Sequence, residues 1–296
     1  MILVTGSTGF IGGHLLDFLI EKYGKRNIVA LTSKPISKCK FLLHNDYSFD
    51  DDYFVNSGFE NIDTILHAGA FTPKSNTDAN LIEGSNSNIT STAKLLNANL
   101  PQLKLFIFFS TLDVYGYDNP ITEKTRLFPS TLYGHSKVYC EQMVSAWAIQ
   151  KNICHQILRL GHVYGEGEEK YKKIIPTIMQ RLLSKTPLQI YGDGSEIRSF
   201  IYIIDVVNAV INALKLENHA GIINLVGEEQ ISINELIKEI ISISGLHPKI
   251  DIIESKTPTR DLVFDNSKMK EFLYVPKVRL KEGLIKEWNY MKNLSK

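Results

Sequence analysis

The stretch Thr5-Gly6-Ser7-Thr8-Gly9-Phe10-Ile11-Gly12 decides the fold. Residues 2–5 are a short apolar run of strand length, and residues 12–21 carry apolar side chains at helical spacing. A strand that turns through three glycines into a helix has a physical purpose at each of them. Gly6 permits the tight strand-to-helix turn. Gly9 lets backbone approach a pyrophosphate, and Gly12 lets the helix pack closely on the sheet. The unpaired N–H groups at the start of that helix, and its dipole, favour an anion. Gly6, Thr8, Gly9, Phe10, Ile11 and Gly12 therefore form a candidate dinucleotide cradle.

Working outward, strand-length runs at 28–32, 41–44, 62–68, 104–110 and 153–160 alternate with helix-length segments at 12–21, about 78–99 and 133–150. The runs are rich in Ile, Leu, Val and Phe, as strands buried on both faces are. Such alternation implies an α/β fold with a Rossmann-type, doubly wound parallel sheet. After Tyr164-Gly165 the texture changes to a charged stretch at 166–173, followed by helix patterns at 174–184, 205–216, 232–244 and 280–290. We read residues 1–165, with about 197–226, as the dinucleotide-binding domain. Residues 166–196 and 227–296 would form a smaller, interleaved α/β substrate lobe.

Composition excludes several classes. Lys and Arg number 33 against 32 Asp and Glu, a net charge of +1 over 296 residues, so no electrostatic footprint for nucleic acid exists. No apolar run is long enough to span a membrane. The cradle strand begins at Ile2 and leaves no room for a leader, and Cys39, Cys140 and Cys154 lack paired spacing. Both point to a reducing cytoplasm. The eight histidines show no metal-ligand spacing, so no metal is expected.

A second motif, Tyr133-Gly134-His135-Ser136-Lys137, lies on a helix pattern, with Ser110-Thr111 ending a strand before it. Hydride exchange at a carbonyl or alcohol carbon needs a proton donor or acceptor at the reacting oxygen. Free tyrosine, with a pKa of about 10, is too weak a base at neutral pH. A lysine four residues on shares its helix face, and its charge, with that of an oxidised nicotinamide, favours tyrosinate. Tyr133 and Lys137 have this spacing, and Thr111 would hydrogen-bond the substrate oxygen.

The end of the second strand normally selects the cofactor through a carboxylate on the ribose hydroxyls. Here it reads Thr32-Ser33-Lys34, two hydroxyls and a cation, which favours NADP(H) with NAD(H) as the alternative. Asp46 is either a ligand for the adenine amino group or a solvated loop acid.

With these motifs in place, the chain resembles the extended short-chain dehydrogenase/reductase superfamily, in its nucleotide-sugar epimerase/dehydratase branch. The resemblance rests on residues 5–12, His67-Ala68-Gly69-Ala70, Asn88, residues 110–116, 133–137, 158–165, 192–205, 224–227 and Arg260-Asp261. It implies NAD(H) or NADP(H) in the first lobe and a nucleotide sugar in the second. It implies Thr111, Tyr133 and Lys137 as the catalytic three, with Lys137 also on the nicotinamide ribose. Ala68, Gly69, Ala70, Asn88 and Ser110 join the cofactor set. Thr72, Thr111, His162, Tyr191, Arg198 and Arg260 form the substrate set, the arginines suiting a diphosphate by their bidentate forks. His162 stands where relatives usually carry Asn. The resemblance also implies a homodimer through the helices at 78–99 and 133–150.

The family's hexose 4,6-dehydratases carry Asp-Glu after the catalytic threonine; this chain has Leu112-Asp113. Leucine cannot protonate a leaving group, so simple dehydration is disfavoured. Asp113 remains as a candidate auxiliary for chemistry near C5, against a plain loop-capping role. The preferred reading is an NADPH-dependent reductase of a nucleotide-linked 4-keto sugar. The alternative is an NAD-dependent nucleotide-sugar 4-epimerase, which keeps its cofactor. A non-catalytic dinucleotide sensor conflicts with the intact Tyr133/Lys137 pair. A reductase of uncharged carbonyls has no use for Arg198 and Arg260.

Overall fold

The computed structural model describes residues 1–75, 77–116, 118–216, 221–254 and 260–295. In chain order the first part forms β1 (Ile2–Thr5), α1 (Phe10–Tyr23), β2 (Ile28–Thr32), β3 (Lys40–Leu43), α2 (Tyr53–Asn56), β4 (Thr64–His67), α3 (Ile82–Asn97), β5 (Leu105–Thr111), α4 (Leu132–Lys151) and β6 (Cys154–Leu160). The remainder forms β7 (His162–Tyr164), α5 (Ile174–Leu183), β8 (Leu188–Tyr191), β9 (Ile197–Tyr202), α6 (Ile203–Ala213), β10 (Gly221–Leu225), β11 (Gln230–Ser232), α7 (Ile233–Ser244), β12 (Ile250–Ile253), α8 (Ser267–Phe272) and α9 (Leu280–Leu294).

Seven strands make one parallel sheet in the order β10-β6-β5-β4-β1-β2-β3. Every residue of β2 and the first six of β5 are buried, as the unbroken apolar runs require of strands covered on both faces. One face packs Leu15, Leu16 and Leu19 of α1 with Val206 and Val210 of α6. The other packs Leu95 and Leu96 of α3 with Cys140 and Val144 of α4. The first of these cores runs on without a break into the second lobe, through Ile178, Leu236 and Trp288.

Strand order reverses between β1 and β4, which places a crevice at their carboxyl ends, where open α/β sheets hold ligands. Gly6 and Gly69 abut there: a Cβ on Gly6 would stand 2.7 Å from the Gly69 Cα.

The expected run 197–226 divides. Strand β10 joins the large sheet, but β9 does not; it pairs with β7 and β11 in a separate three-stranded sheet. The break is at Gly161, which still pairs with the Leu225 carbonyl at 2.9 Å but whose own carbonyl accepts the Val163 amide at 2.9 Å, a tight turn that takes the chain out of the sheet into β7. Among the described residues, no helix is long and apolar enough to cross a membrane, and Cys39, Cys140 and Cys154 are free thiols.

Candidate active site

The cradle closes on backbone alone. Gly9 donates its amide to the Gly6 carbonyl at 2.9 Å, and a Cβ on Gly12 would stand 2.1 Å from that same oxygen. Helix α1 starts at Phe10 with Gly9 as its cap, no side chain on its amides and no acid in its first turn. Its free N–H groups and dipole therefore face the crevice, an environment for an anion. Gly6, Thr8, Gly9, Phe10, Ile11, Gly12, Ala68, Gly69, Ala70, Ser110, Thr111 and Tyr133 line one chamber of about 340 Å³. The Ser110 hydroxyl is buried there without a protein partner. These residues fit a dinucleotide.

Thr111 ends β5 and caps the following turn by accepting the Asp113 amide at 3.2 Å. Helix α4 begins under that turn. Thr131 caps it by accepting the Gly134 amide at 3.1 Å, and a Gly134 Cβ would stand 2.6 Å from the Asp113 carbonyl oxygen. Only glycine permits this approach, and it brings Tyr133 to Thr111. Burial, and after it the Asp113 charge, raise the pKa of the Tyr133 hydroxyl, and Thr111 and Thr72 at that hydroxyl oppose them. Tyr133 is thus held above the ordinary tyrosine value. Lys137, 3% exposed, lies beneath the cleft, with its ammonium 4.4 Å from the centre of the Phe108 ring. Burial brings Lys137 itself down to about 8.

A second chamber of about 640 Å³ opens from Tyr133 into the other lobe, lined by Thr72, Thr111, Asp113, His162 and Arg198. The Arg198 guanidinium is pinned through one nitrogen to the Ile197 and Arg260 carbonyls. Burial, together with the Arg198 and Lys173 charges, holds His162 neutral, with its pKa brought down to about 3. Its Nδ1 is buried without a hydrogen bond. A neutral imidazole with one free nitrogen can accept or donate one bond to a ligand, as an amide can.

Other expected residues lie elsewhere. Thr32 is buried and its hydroxyl closes a local turn on Lys34, donating to its carbonyl at 3.0 Å and accepting its amide at 3.3 Å. Ser33, Lys34 and Asp46 are exposed and line neither chamber. Asn88 is locked on Phe71, accepting its amide at 2.7 Å and donating to its carbonyl at 3.2 Å, and so shapes the loop before Thr72. Tyr191 is 60% exposed on β8, and the Arg260 side chain donates to the Gly116 carbonyl behind the cleft. Conversely, the chambers include Glu168, Tyr171 and Lys173, which sequence reading passed over as a charged stretch. Their only signal was the loop's position after Tyr164-Gly165.

The profile of the NAD dependent epimerase/dehydratase family matches residues 2–226, and the chain belongs to that family. It is similar to a putative UDP-glucose 4-epimerase of Methanocaldococcus jannaschii, 28% identical over 312 residues covering 99% of both chains. The solved UDP-glucuronic acid 4-epimerase of Bacillus cereus, in complex with UDP-glucuronic acid and NAD, superimposes with a TM-score of 0.86 at 27% identity over 99% of each chain. A trifunctional Arabidopsis thaliana UDP-glucose 4,6-dehydratase/UDP-4-keto-6-deoxy-D-glucose 3,5-epimerase/UDP-4-keto-L-rhamnose-reductase is 29% identical over 98% of this chain, which spans 46% of that protein's length. The protein is thus an enzyme of the nucleotide-sugar epimerase/dehydratase type. The expected preference for NADP(H) finds no support in these relatives or in the placement of Thr32, Ser33 and Lys34.

Proposed function

We propose that the protein is an NAD-dependent UDP-sugar 4-epimerase, in place of the NADPH-dependent reductase that the sequence favoured. The observation that carries this reading is the proton-transfer pair Thr111 and Tyr133, which lines both chambers. Leu112 is buried, and Asp113 is engaged with Thr111, whose hydroxyl donates to it at 3.3 Å. One such pair suits oxidation and re-reduction at one carbon and supplies nothing for loss of water. The relatives support the same choice.

In this reading Tyr133 takes the proton of the sugar hydroxyl and later returns it, while Thr111 fixes that oxygen. NAD, when bound in the cradle, would supply the two-electron acceptor and donor for hydride at C4. Lys137 holds positive charge below the site, which favours tyrosinate once the cleft is filled. Arg198 and His162 hold the diphosphate end, so that the sugar can turn without leaving. Because the cofactor ends the cycle as it began, it has no need to exchange.

Tyr139 (54% exposed) and Ile149 (75% exposed), on the open face of α4, support a homodimer through α3 and α4. Sedimentation that gives a monomer at micromolar concentration would remove that part. The catalytic reading is tested by supplying UDP-glucose and UDP-glucuronic acid with no added dinucleotide. Formation of the 4-epimer supports it. Turnover that requires a nucleotide-linked 4-keto sugar and consumes NADPH would replace it with the reductase.

A further inference from the structure

Residues 165–173 run from the second lobe to the mouth of the cradle. Gly165 and Gly167, at φ of 134° and 97°, turn the backbone on either side of Glu166. Glu166 is tied down twice. Its carbonyl accepts from His14 Nε2 on α1 at 2.7 Å, and its carboxylate accepts from the Tyr202 hydroxyl on β9 at 2.6 Å. The loop is therefore fastened to the cradle's own helix. Beyond it, the Tyr171 hydroxyl lies 3.9 Å from where a Gly9 Cβ would stand. Glu168 lines both chambers at their junction.

Glu168 is 5% exposed, and its Oε2 has no hydrogen-bond partner. Glu287 of α9 is 1% exposed, and neither of its carboxyl oxygens makes a hydrogen bond of good geometry. Two buried, unpaired carboxyls so placed cannot both ionise cheaply. Burial raises Glu168 well above the ordinary range, Glu287 and Glu169 raise it further, and Lys173 opposes them. Burial brings Glu287 up to about 8, helped by Glu166 and Glu169, with the Gly165 amide opposing. The other charged and titratable groups packed here include Tyr164 from β7, Asp205 from α6, Glu229 just before β11, and Lys286 and Tyr290 from α9. A carboxylate at the mouth of a diphosphate site repels its ligand; a neutral carboxyl has a proton to donate.

We propose that Glu168 is a positioning residue for cofactor retention, which as a neutral acid donates a hydrogen bond into the cleft toward the bound dinucleotide, and which on giving its proton to solvent frees the loop at 165–173 and releases that dinucleotide. The proposal rests on the reading of the cleft as a retained-cofactor epimerase site. Burial keeps Glu168 neutral, with Glu287 adding to it as that group ionises, and Gly165 and Gly167 supply the hinge.

The test uses the full chain loaded with NAD and measures the NAD still bound after rapid desalting between pH 6.5 and 9.5, by absorbance and mass, together with its dissociation rate. The wild type is expected to hold NAD at pH 6.5 and to release it faster toward pH 9.5, by up to about tenfold per pH unit for one proton. Glu168→Gln, neutral at every pH and still a donor, is expected to flatten that profile; Glu168→Ala is expected to release NAD quickly throughout. Glu287→Gln removes a like charge that raises Glu168 and is expected to move the release profile to lower pH, which covers the case of a misfolded Glu168 variant. Wild-type retention unchanged to pH 9.5 in a natively folded chain overturns the proposal, as does a wild-type profile in Glu168→Gln or Glu287→Gln. UDP affinity is measured alongside. A pH dependence confined to UDP would assign the proton to the substrate's diphosphate and also overturn it. An enzyme that retains NAD as described yet converts no UDP-sugar would refute the epimerase reading and leave the retention result standing.

Discussion

At the scale of residues, the site is set by how Tyr133 is tuned. Its hydroxyl is pulled up by burial and Asp113 and down by Thr111 and Thr72. A base must lose its proton to act, so activity should rise with pH as Tyr133 ionises in the filled cleft. Asp113→Asn removes a charge that opposes ionisation, and the rising limb of kcat/KM should move to lower pH; a limb that stays put or moves up would show that Asp113 does not act on Tyr133. Tyr133→Phe should lower kcat by about 10²–10⁴, the usual contribution of a positioned acid–base group, with bound NAD unchanged. The Tyr133–Lys137 spacing was legible because helix geometry alone puts the two side chains on one face. What Lys137 would touch was not, since its place against Phe108 depends on a strand distant in sequence. Thr32 misled for a related reason: a hydroxyl at a strand end reads as a ribose contact, but its own backbone two residues on captured it.

At the scale of elements, α4 and β6 are joined by a buried ion pair. Arg159 donates to both oxygens of Glu141, at 2.9 and 2.6 Å, and its third nitrogen donates to the Tyr115 hydroxyl at 2.8 Å. That hydroxyl in turn donates to Asn224 of β10 at 2.6 Å. The network ties the helix of Tyr133 to the turn after Thr111 and to the sheet edge. Glu141→Ala leaves a buried guanidinium unpaired and should cost about 3–5 kcal/mol in denaturant unfolding, with catalysis falling as the turn loosens. A loss under about 1 kcal/mol, the usual ceiling for an exposed pair, would mean that water reaches the site. The apolar runs and helix periods made most elements legible to within a few residues. They failed for β9, because only its pairing with β7 and β11, after the chain has left the large sheet at Gly161, decides which sheet receives it.

For the whole molecule, the two lobes share one core, and the acid pair at their junction links stability to pH. Between pH 4.5 and about 8 the folded chain keeps a proton on Glu287 that the unfolded chain has lost. The contribution of Glu287 is therefore fully present below pH 4.5 and falls by about 1.4 kcal/mol per pH unit until about pH 8. Glu287→Gln should lose that slope in unfolding at pH 5 and 7.5; an identical slope in the variant would show that Glu287 is ionised in the fold. Nothing in the sequence joined Glu168 to Glu287, since only the packing of α9 against the loop at 165–173 brings them together. The central claim is that hydride leaves and returns to one sugar carbon on a cofactor that stays bound. It is tested most directly with UDP-glucose and UDP-glucuronic acid carrying deuterium at C4, with no dinucleotide added, followed by proton NMR. The account predicts that one of them equilibrates with its 4-epimer and that the epimer keeps its deuterium at C4. No epimer from either, or an epimer formed with deuterium lost to solvent, would contradict it.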